Sequence, residues 1–422
     1  MTIFMLFGTF FLFTALTVPI GIALGMAGLI TAIYSPNISI TFLSQGLVTS
    51  TDSFPLMAIP FFILAGEIMG KGGISTRLFD LANVFVGRFT GGFAMAAVIT
   101  SMFFAAISGS GPATVAAVGG IMIPAMVAEG YDKKFSTALI AAAGSLGIIL
   151  PPSIPMVLYG ISSNESIGDL FIGGILPGVL IGLFLIVWAY FYSKKMGYKG
   201  TNEKFTFKKL FQAINKSKWS LLVPIIILGG IYGGIFTPTE AAVVAVVYAL
   251  FVSVFLHKEI KLNDLHDILK NSALSSVAIM IIIGTANAFG NILSMERIPQ
   301  AFADLFLSIS QNNFIILLLI IVMLLIIGLF IDTSAAVIIF TPILFPVAME
   351  IGMDPIHFGI VMITTLAIGF ITPPLGVNLF VGSGISGLSI PVLARASIPF
   401  FFVLLAGLIV IAAIPKITLL FL

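Results

Sequence analysis

Two short polar runs inside apolar sequence hold the residues best suited to chemistry. The first, "SGSGPAT", sets Ser108, Ser110 and Thr114 around Gly111 and Pro112; the second, "DTSAA", sets Asp332, Thr333 and Ser334 in a row. Hydroxyls, a carboxylate and helix-terminal carbonyls are hard oxygen donors, the ligands that hard cations select. Pro112 suits the start of a helix, where its missing N–H leaves nothing unpaired. The amino end of that helix carries partial positive charge and favours an anionic group near Gly111 and Pro112. One break can therefore hold a cation on one face and an anion on the other. The rival reading of the first run is a tight Gly/Ser packing turn between helices. For Asp332 the rival is a carboxylate satisfied by neighbouring backbone donors, since an unpaired one inside a bilayer costs about 3 kcal/mol or more.

Further donors stand in "AAAGSLGIILPPSIP" and "TTLAIGFITPPLGVN", where Pro151-Pro152 and Pro373-Pro374 interrupt apolar spans. Each pair removes two backbone donors and unwinds the helix, so carbonyls around Gly144 to Pro151 and Gly369 to Pro373 become free to complete a cation shell with Ser145, Thr372 and Asn378. A simple proline kink is the competing reading. Glu67 lies near a span end beside Lys71, which suits interfacial pairing as well as a role in substrate handling. Asn287 and Asn291 share a helix face and suit inter-helix hydrogen bonding or substrate contact. Arg297 can fork onto a substrate carboxylate, or pair with Glu296 or lipid headgroups.

The elements that position these groups must be membrane helices. Of 422 residues, 59% are hydrophobic and 9% charged, with a mean hydropathy of +1.20. Many apolar runs can cross a hydrocarbon core of about 30 Å, and strand periodicity is absent, so the class is an all-α polytopic membrane protein. The chain has no cysteine and three scattered histidines, which excludes thiolate metal sites and HExxH chemistry. Phosphate-loop signatures are absent too, and the net charge of +2 says nothing in favour of nucleic acid. An intramembrane enzyme is disfavoured because no nucleophile–base or paired-acid arrangement stands at membrane depth. The apolar start lacks the basic flank of a cleavable signal and is expected to be a retained span.

The chain also repeats itself. "GIMIPAMVAEGYD" superposes on "PILFPVAMEIGMD" with Pro124 on Pro346, an offset of 222 that also carries Gly147 onto Gly369 and Pro151-Pro152 onto Pro373-Pro374. The same offset places Ser110 on Asp332. The loop after the first copy carries Lys133 and Lys134, whereas its counterpart has no Lys or Arg, so the positive-inside rule sets the two on opposite sides. We expect an inverted repeat with two re-entrant helical hairpins and two Pro-Pro-interrupted helices, the arrangement of secondary transporters. Lys71, Arg77, Arg88, the lysine-rich loop 194–218 and Lys258, Lys261 and Lys270 then face the cytoplasm, with both termini periplasmic. Loop 194–218 is read as a topology anchor, with lipid binding or regulation as the alternative.

The run from "SGSGPAT" to "PPSIPMVLYG", with "LAGEIM", "MERIPQ" and "GFITPPLGVNLFV", resembles the large membrane (DctM-like) subunit of tripartite ATP-independent periplasmic transporters over essentially the whole chain. The resemblance implies sodium-driven import of an organic acid anion across the bacterial inner membrane. It also implies a small four-helix membrane subunit, expected here as a separate chain, and a periplasmic substrate-binding protein. It implies Na+ at Ser108 to Thr114 with Gly144 to Pro152, and at Asp332 to Ser334 with Gly369 to Asn378. An elevator is implied as well: scaffold over 1–52 and 166–272, transport domain over 53–165 and 273–385, and a C-terminal helix over 386–422. The sequence looks most like sialic-acid members, with C4-dicarboxylate or another carboxylate as alternatives. A self-sufficient cation-coupled anion carrier is the alternative function.

Overall fold

A computed structural model describes residues 2–35, 38–200, 206–373 and 376–422; Pro374, the second proline of the later pair, lies outside them. The first half comprises α1 (Thr2–Ala15), α2 (Ile20–Tyr34), α3 (Ile40–Thr49), α4 (Ala58–Lys71), α5 (Ile74–Val86), α6 (Gly92–Ser108), α7 (Gly111–Ala128), α8 (Lys133–Gly144), α9 (Leu146–Ile149), α10 (Ile154–Ser163) and α11 (Ile167–Met196). The second comprises α12 (Phe207–Tyr232), α13 (Pro238–Phe251), α14 (Leu262–Met295), α15 (Ile298–Ile309), α16 (Asn313–Gly328), α17 (Thr333–Glu350), α18 (Pro355–Gly369), α19 (Val377–Ser386), α20 (Ile390–Ala413) and α21 (Lys416–Leu419). Among the described residues nine helices are long and apolar enough to cross a membrane.

The repeat extends over nearly the whole chain. Adding 222 to the ends of α7 gives those of α17, and the starts of α8 and α18 coincide in the same way. Local chemistry explains the agreement: equivalent aspartates cap equivalent helices. Asp132 accepts from the Phe135 N–H at 2.9 Å, and Asp354 from the N–H groups of Ile356 and His357 at 2.9 and 3.1 Å, each satisfying amino-terminal donors that have no partner within the helix. Packing is exchanged between halves as a two-fold axis requires: α10 packs on α17 and its counterpart α19 on α7, while α13 packs on α4 and α2 on α14.

Helix α11 shows that the repeat is inverted. Its 30 residues span about 45 Å at 1.5 Å per residue, enough to cross a bilayer. The loop closing the first hairpin lies at its carboxyl end, where the Tyr131 and Tyr198 rings meet at a tilt with centroids 4.3 Å apart and the Asp132 N–H donates to the Tyr198 hydroxyl at 2.9 Å. The equivalent loop of the second copy lies at its amino end. There the Tyr159 hydroxyl donates to the Pro355 carbonyl at 2.7 Å, and burial, with Asp354 and Asp169 nearby, pushes the Glu165 carboxyl above its ordinary range.

Both hairpins re-enter. Gly91, at the start of α6, donates its N–H to the Tyr198 carbonyl, so α6 and α7 begin and end on the side of Lys194 and Lys195, here the basic side. On the opposite side, the Asn313 amide donates to the Ile351 carbonyl at 2.8 Å and ties together the two ends of the α16–α17 hairpin. The interrupted helices form the centre: Phe135 to Gly144 of α8 and Ile356 to Gly369 of α18 are buried throughout.

Candidate functional site

The first tip is a two-residue turn. Gly109 adopts φ +61°, a left-handed conformation that glycine takes without Cβ strain, and Ser110 caps α7 by accepting from the Ala113 N–H at 3.5 Å. Three oxygens then converge in a buried cluster. The Ser108 and Thr114 hydroxyls lie 2.9 Å apart, and the Ser110 carbonyl accepts from Thr114 at 2.8 Å and from Ser108 at 3.3 Å.

The proline break packs directly on this tip. Gly109 accepts from the Ile154 N–H at 3.3 Å, and a Cβ at Gly147 would collide with the Ser110 carbonyl and lie 2.7 Å from the Thr114 hydroxyl. Glycine at 147 is thus required by a close approach, not by an unusual φ. The Pro151-Pro152 peptide is cis, and Ser153 closes the break by donating to the Ile148 carbonyl at 2.6 Å. The break lies at membrane depth, since the Ile149 carbonyl would be 2.9 Å from a Cβ at Gly174, in the amino-terminal third of α11.

Asn378 is placed differently from its sequence grouping. Its backbone N–H binds the Phe370 carbonyl at 3.0 Å within the second break, but its side chain enters the first cluster. The amide nitrogen donates to the Ala141 carbonyl at 2.9 Å and to the Ser145 hydroxyl at 3.5 Å. Ala141 is available because α8 tightens at its end: the Ser145 N–H turns to Ala142 at 3.1 Å. The amide oxygen is buried without a hydrogen-bond partner among the described residues, 3.2 Å from where a Gly111 Cβ would stand. A buried acceptor left unpaired costs about 1–3 kcal/mol, so this oxygen, with the hydroxyl cluster nearby, fits a hard cation by donor type.

The second tip carries the carboxylate. Asp332 caps α17, accepting from the Ser334 N–H at 2.9 Å, which realises the structural reading for one of its oxygens. The Thr333 hydroxyl beside it is buried with no partner among the described residues. Gly369 packs against the Gly328 backbone, joining this tip to its break, while Thr372 donates to the Ile368 carbonyl at 2.7 Å and Pro373 closes the described part of the break. Asp332, Thr333, Gly369 and Thr372 thus stand at one junction, and Ser108, Ser110, Gly111, Thr114, Gly144, Ser145, Pro151 and Asn378 at the other.

Two cavities are two-fold counterparts: one is bounded by α14, α10 and α17, the other by α4, α19 and α7, where it also meets the first tip. One, of about 240 Å³, is lined by Asn287 and Asn291 with Ser50, Ser162 and Ser294. The two asparagines bond each other at 3.2 Å within α14, a bond along one helix and not between helices. The other, of about 330 Å³, is lined by Glu67, Ser108, Ser110, Pro112 and Ser275. Glu67 therefore faces the first tip and shares no cavity with the asparagines. Arg297 is exposed at the start of α15 with φ +54° and lines neither cavity. Sequence reasoning missed Ser50, Ser162, Ser275 and Ser294, serines at or near helix ends or within α14 that no recognisable motif marks.

An inverted repeat with paired re-entrant hairpins and polar cavities at membrane depth defines a multi-pass transporter permease rather than an enzyme. Residues 7–417 match the family described as "Tripartite ATP-independent periplasmic transporter, DctM component", and the chain belongs to that family. It is 48% identical over 416 residues to the isethionate TRAP transporter permease protein DctMQ of Oleidesulfovibrio alaskensis, covering 99% of this chain and 66% of that protein. It is 43% identical over 398 residues to the C4-dicarboxylate TRAP transporter large permease protein DctM of Pseudomonas aeruginosa, covering 94% and 93%. With the sialic acid TRAP transporter large permease protein SiaM of Vibrio cholerae it shares 38% identity over 402 residues, covering 95% and 94%. These names carry three different anions and do not single out sialic acid. Among solved structures, the Alcanivorax borkumensis YdaH transporter shares the fold, with a TM-score of 0.65 at 16% identity over 96% of this chain and 97% of that one.

Proposed function

We propose that this chain couples sodium entry to the import of a small organic-acid anion across the bacterial inner membrane. It would act as the large permease subunit with a small four-helix membrane subunit and a periplasmic substrate-binding protein. The observation that carries the reading is the convergence of buried oxygens at two inverted hairpin tips, including the unpartnered Asn378 amide oxygen and Thr333 hydroxyl. Neutral hydroxyl and carbonyl donors with one carboxylate suit a weakly held monovalent cation, which must be released each cycle. The amino ends of α7 and α17 point their dipoles at the same tips and offset negative charge on a substrate carboxylate or sulfonate.

Packing supports a moving unit of the hairpins, the interrupted helices, α11 and α20 against a frame of α1 to α4 and α12 to α14. Helix α11 packs on α6, α18 and α20, whereas α4 packs on α13 and α14; α5 and α15 lie at the boundary, packed on the hairpin arms α6 and α17. This division moves α11 out of the scaffold and α4 into it, relative to the boundaries drawn from sequence. Isethionate, C4-dicarboxylates and sialic acid are the candidate substrates that the relatives suggest. The test is uptake of each by proteoliposomes containing the three components. Sodium-dependent uptake is expected, with Asp332→Ala lowering it by roughly tenfold or more. Normal uptake by that variant would remove Asp332 from the cation site, and transport without the binding protein would favour a self-sufficient carrier.

A further inference from the structure

The geometry points to a cation exit route running from the first hairpin tip to the basic side, with Glu67 as its midpoint; this rests on the sodium-coupled reading. Helix α4 descends alongside the hairpin. A Cβ at Gly66 would lie 3.3 Å from the Ser108 Cα, and one at Gly70, a turn further on, 3.6 Å from the Ala117 Cβ. Successive turns of α4 therefore lead from the tip toward the hairpin base. Two cavities follow that line. The one of about 330 Å³ joins Glu67 to Ser108, Ser110 and Ser275. The next, of about 210 Å³, joins Glu67 to Gly70, Ala117 and the exposed Lys71. They share Gly66, Glu67, Ala113 and Ala116, so the Glu67 carboxylate stands at their junction.

The charge pattern selects what passes. Among the described residues, Glu67 and Lys71 are the only charged ones lining either cavity. A carboxylate midway lowers the energy of a cation there and raises that of an anion, and the effect is strong where water is scarce. The organic anion is thereby excluded, and the cation leaves by a route of its own. Lys71, one helical turn from Glu67, competes with the cation for the carboxylate at the outer end. Helix α5 starts at Ile74 and α15 at Ile298, an offset of 224 in this region, so the two-fold counterpart of Glu67 is Asn291, which carries no charge. The opposite tip therefore has no acid at the equivalent place, and the route serves one side only.

Release is needed for net uptake but not for exchange of labelled substrate at equal sodium, which separates the two roles Glu67 could have. With the complete three-component complex in proteoliposomes, Glu67→Gln is expected to slow sodium-driven net uptake roughly tenfold or more while equilibrium exchange stays within about twofold of the parent. Glu67→Asp, which keeps the charge, is expected to restore net uptake to within about threefold. Net uptake by Glu67→Gln within about twofold of the parent overturns the inference, as does joint loss of net uptake and exchange in both variants. Sodium-independent uptake by the parent complex would instead overturn the sodium reading, before any variant is compared.

Discussion

At the scale of the residue, Asn378 joins the two halves of the molecule. Its amide donor is used on Ala141, 237 positions earlier, and its amide oxygen is buried without a partner among the described residues. Asn378→Ala would leave the Ala141 carbonyl unpaired, at a cost of about 1–3 kcal/mol, and remove one candidate cation oxygen. We expect a lower thermal midpoint in detergent and a sodium concentration for half-maximal uptake raised roughly tenfold. A sodium dependence identical to the parent's would take Asn378 out of the cation shell. Asp332, Ser108, Ser110 and Thr114 were legible in the sequence because polar side chains at a helix break in lipid require a reason. The partner of Asn378 was not, because nothing local to residue 378 specifies which loop of the other half it meets.

At the scale of the element, capping and breaking residues made the repeat legible. Proline, glycine and N-capping aspartate act within one turn, so their positions survive as a register even where apolar residues interchange. The two tips nevertheless differ in detail: the first turn spans Gly109 and Ser110, whereas four residues, 329–332, separate α16 from α17. Inversion can be tested directly, because the chain has no cysteine. Single substitutions Glu129→Cys and Glu350→Cys, at the bases of the two hairpins, are expected to react with a membrane-impermeant thiol reagent from opposite sides of sealed vesicles. Labelling of both from one side would contradict the inverted arrangement.

At the scale of the whole molecule, the proposed mechanism requires hairpin 1 to move along α4. The interface is built from small residues, and the modest separation of Gly70 and Ala117 permits a direct test. A Cβ at 70 would lie 3.6 Å from that of Ala117, within the range a disulfide accepts. The double variant Gly70→Cys/Ala117→Cys should crosslink on oxidation, arrest uptake and recover on reduction. Full uptake in the crosslinked state would mean that α4 and the hairpin travel together, and the proposed frame would have to be redrawn.

The sequence by itself determined the membrane class, the helix breaks, the repeat and its inversion, because each follows from local chemistry: apolar length, missing N–H groups, caps and loop charge. Only the tertiary structure decided which oxygens meet. It brought Asn378 to the first tip, set Glu67 at the junction of two cavities and separated both from Arg297. Those outcomes depend on how two halves more than two hundred residues apart pack across a pseudo-two-fold axis. Convergence across that distance runs through contacts such as Asn378 on the Ala141 carbonyl and Phe370 and Asn378 beside Gly111, which no short stretch of sequence can specify alone.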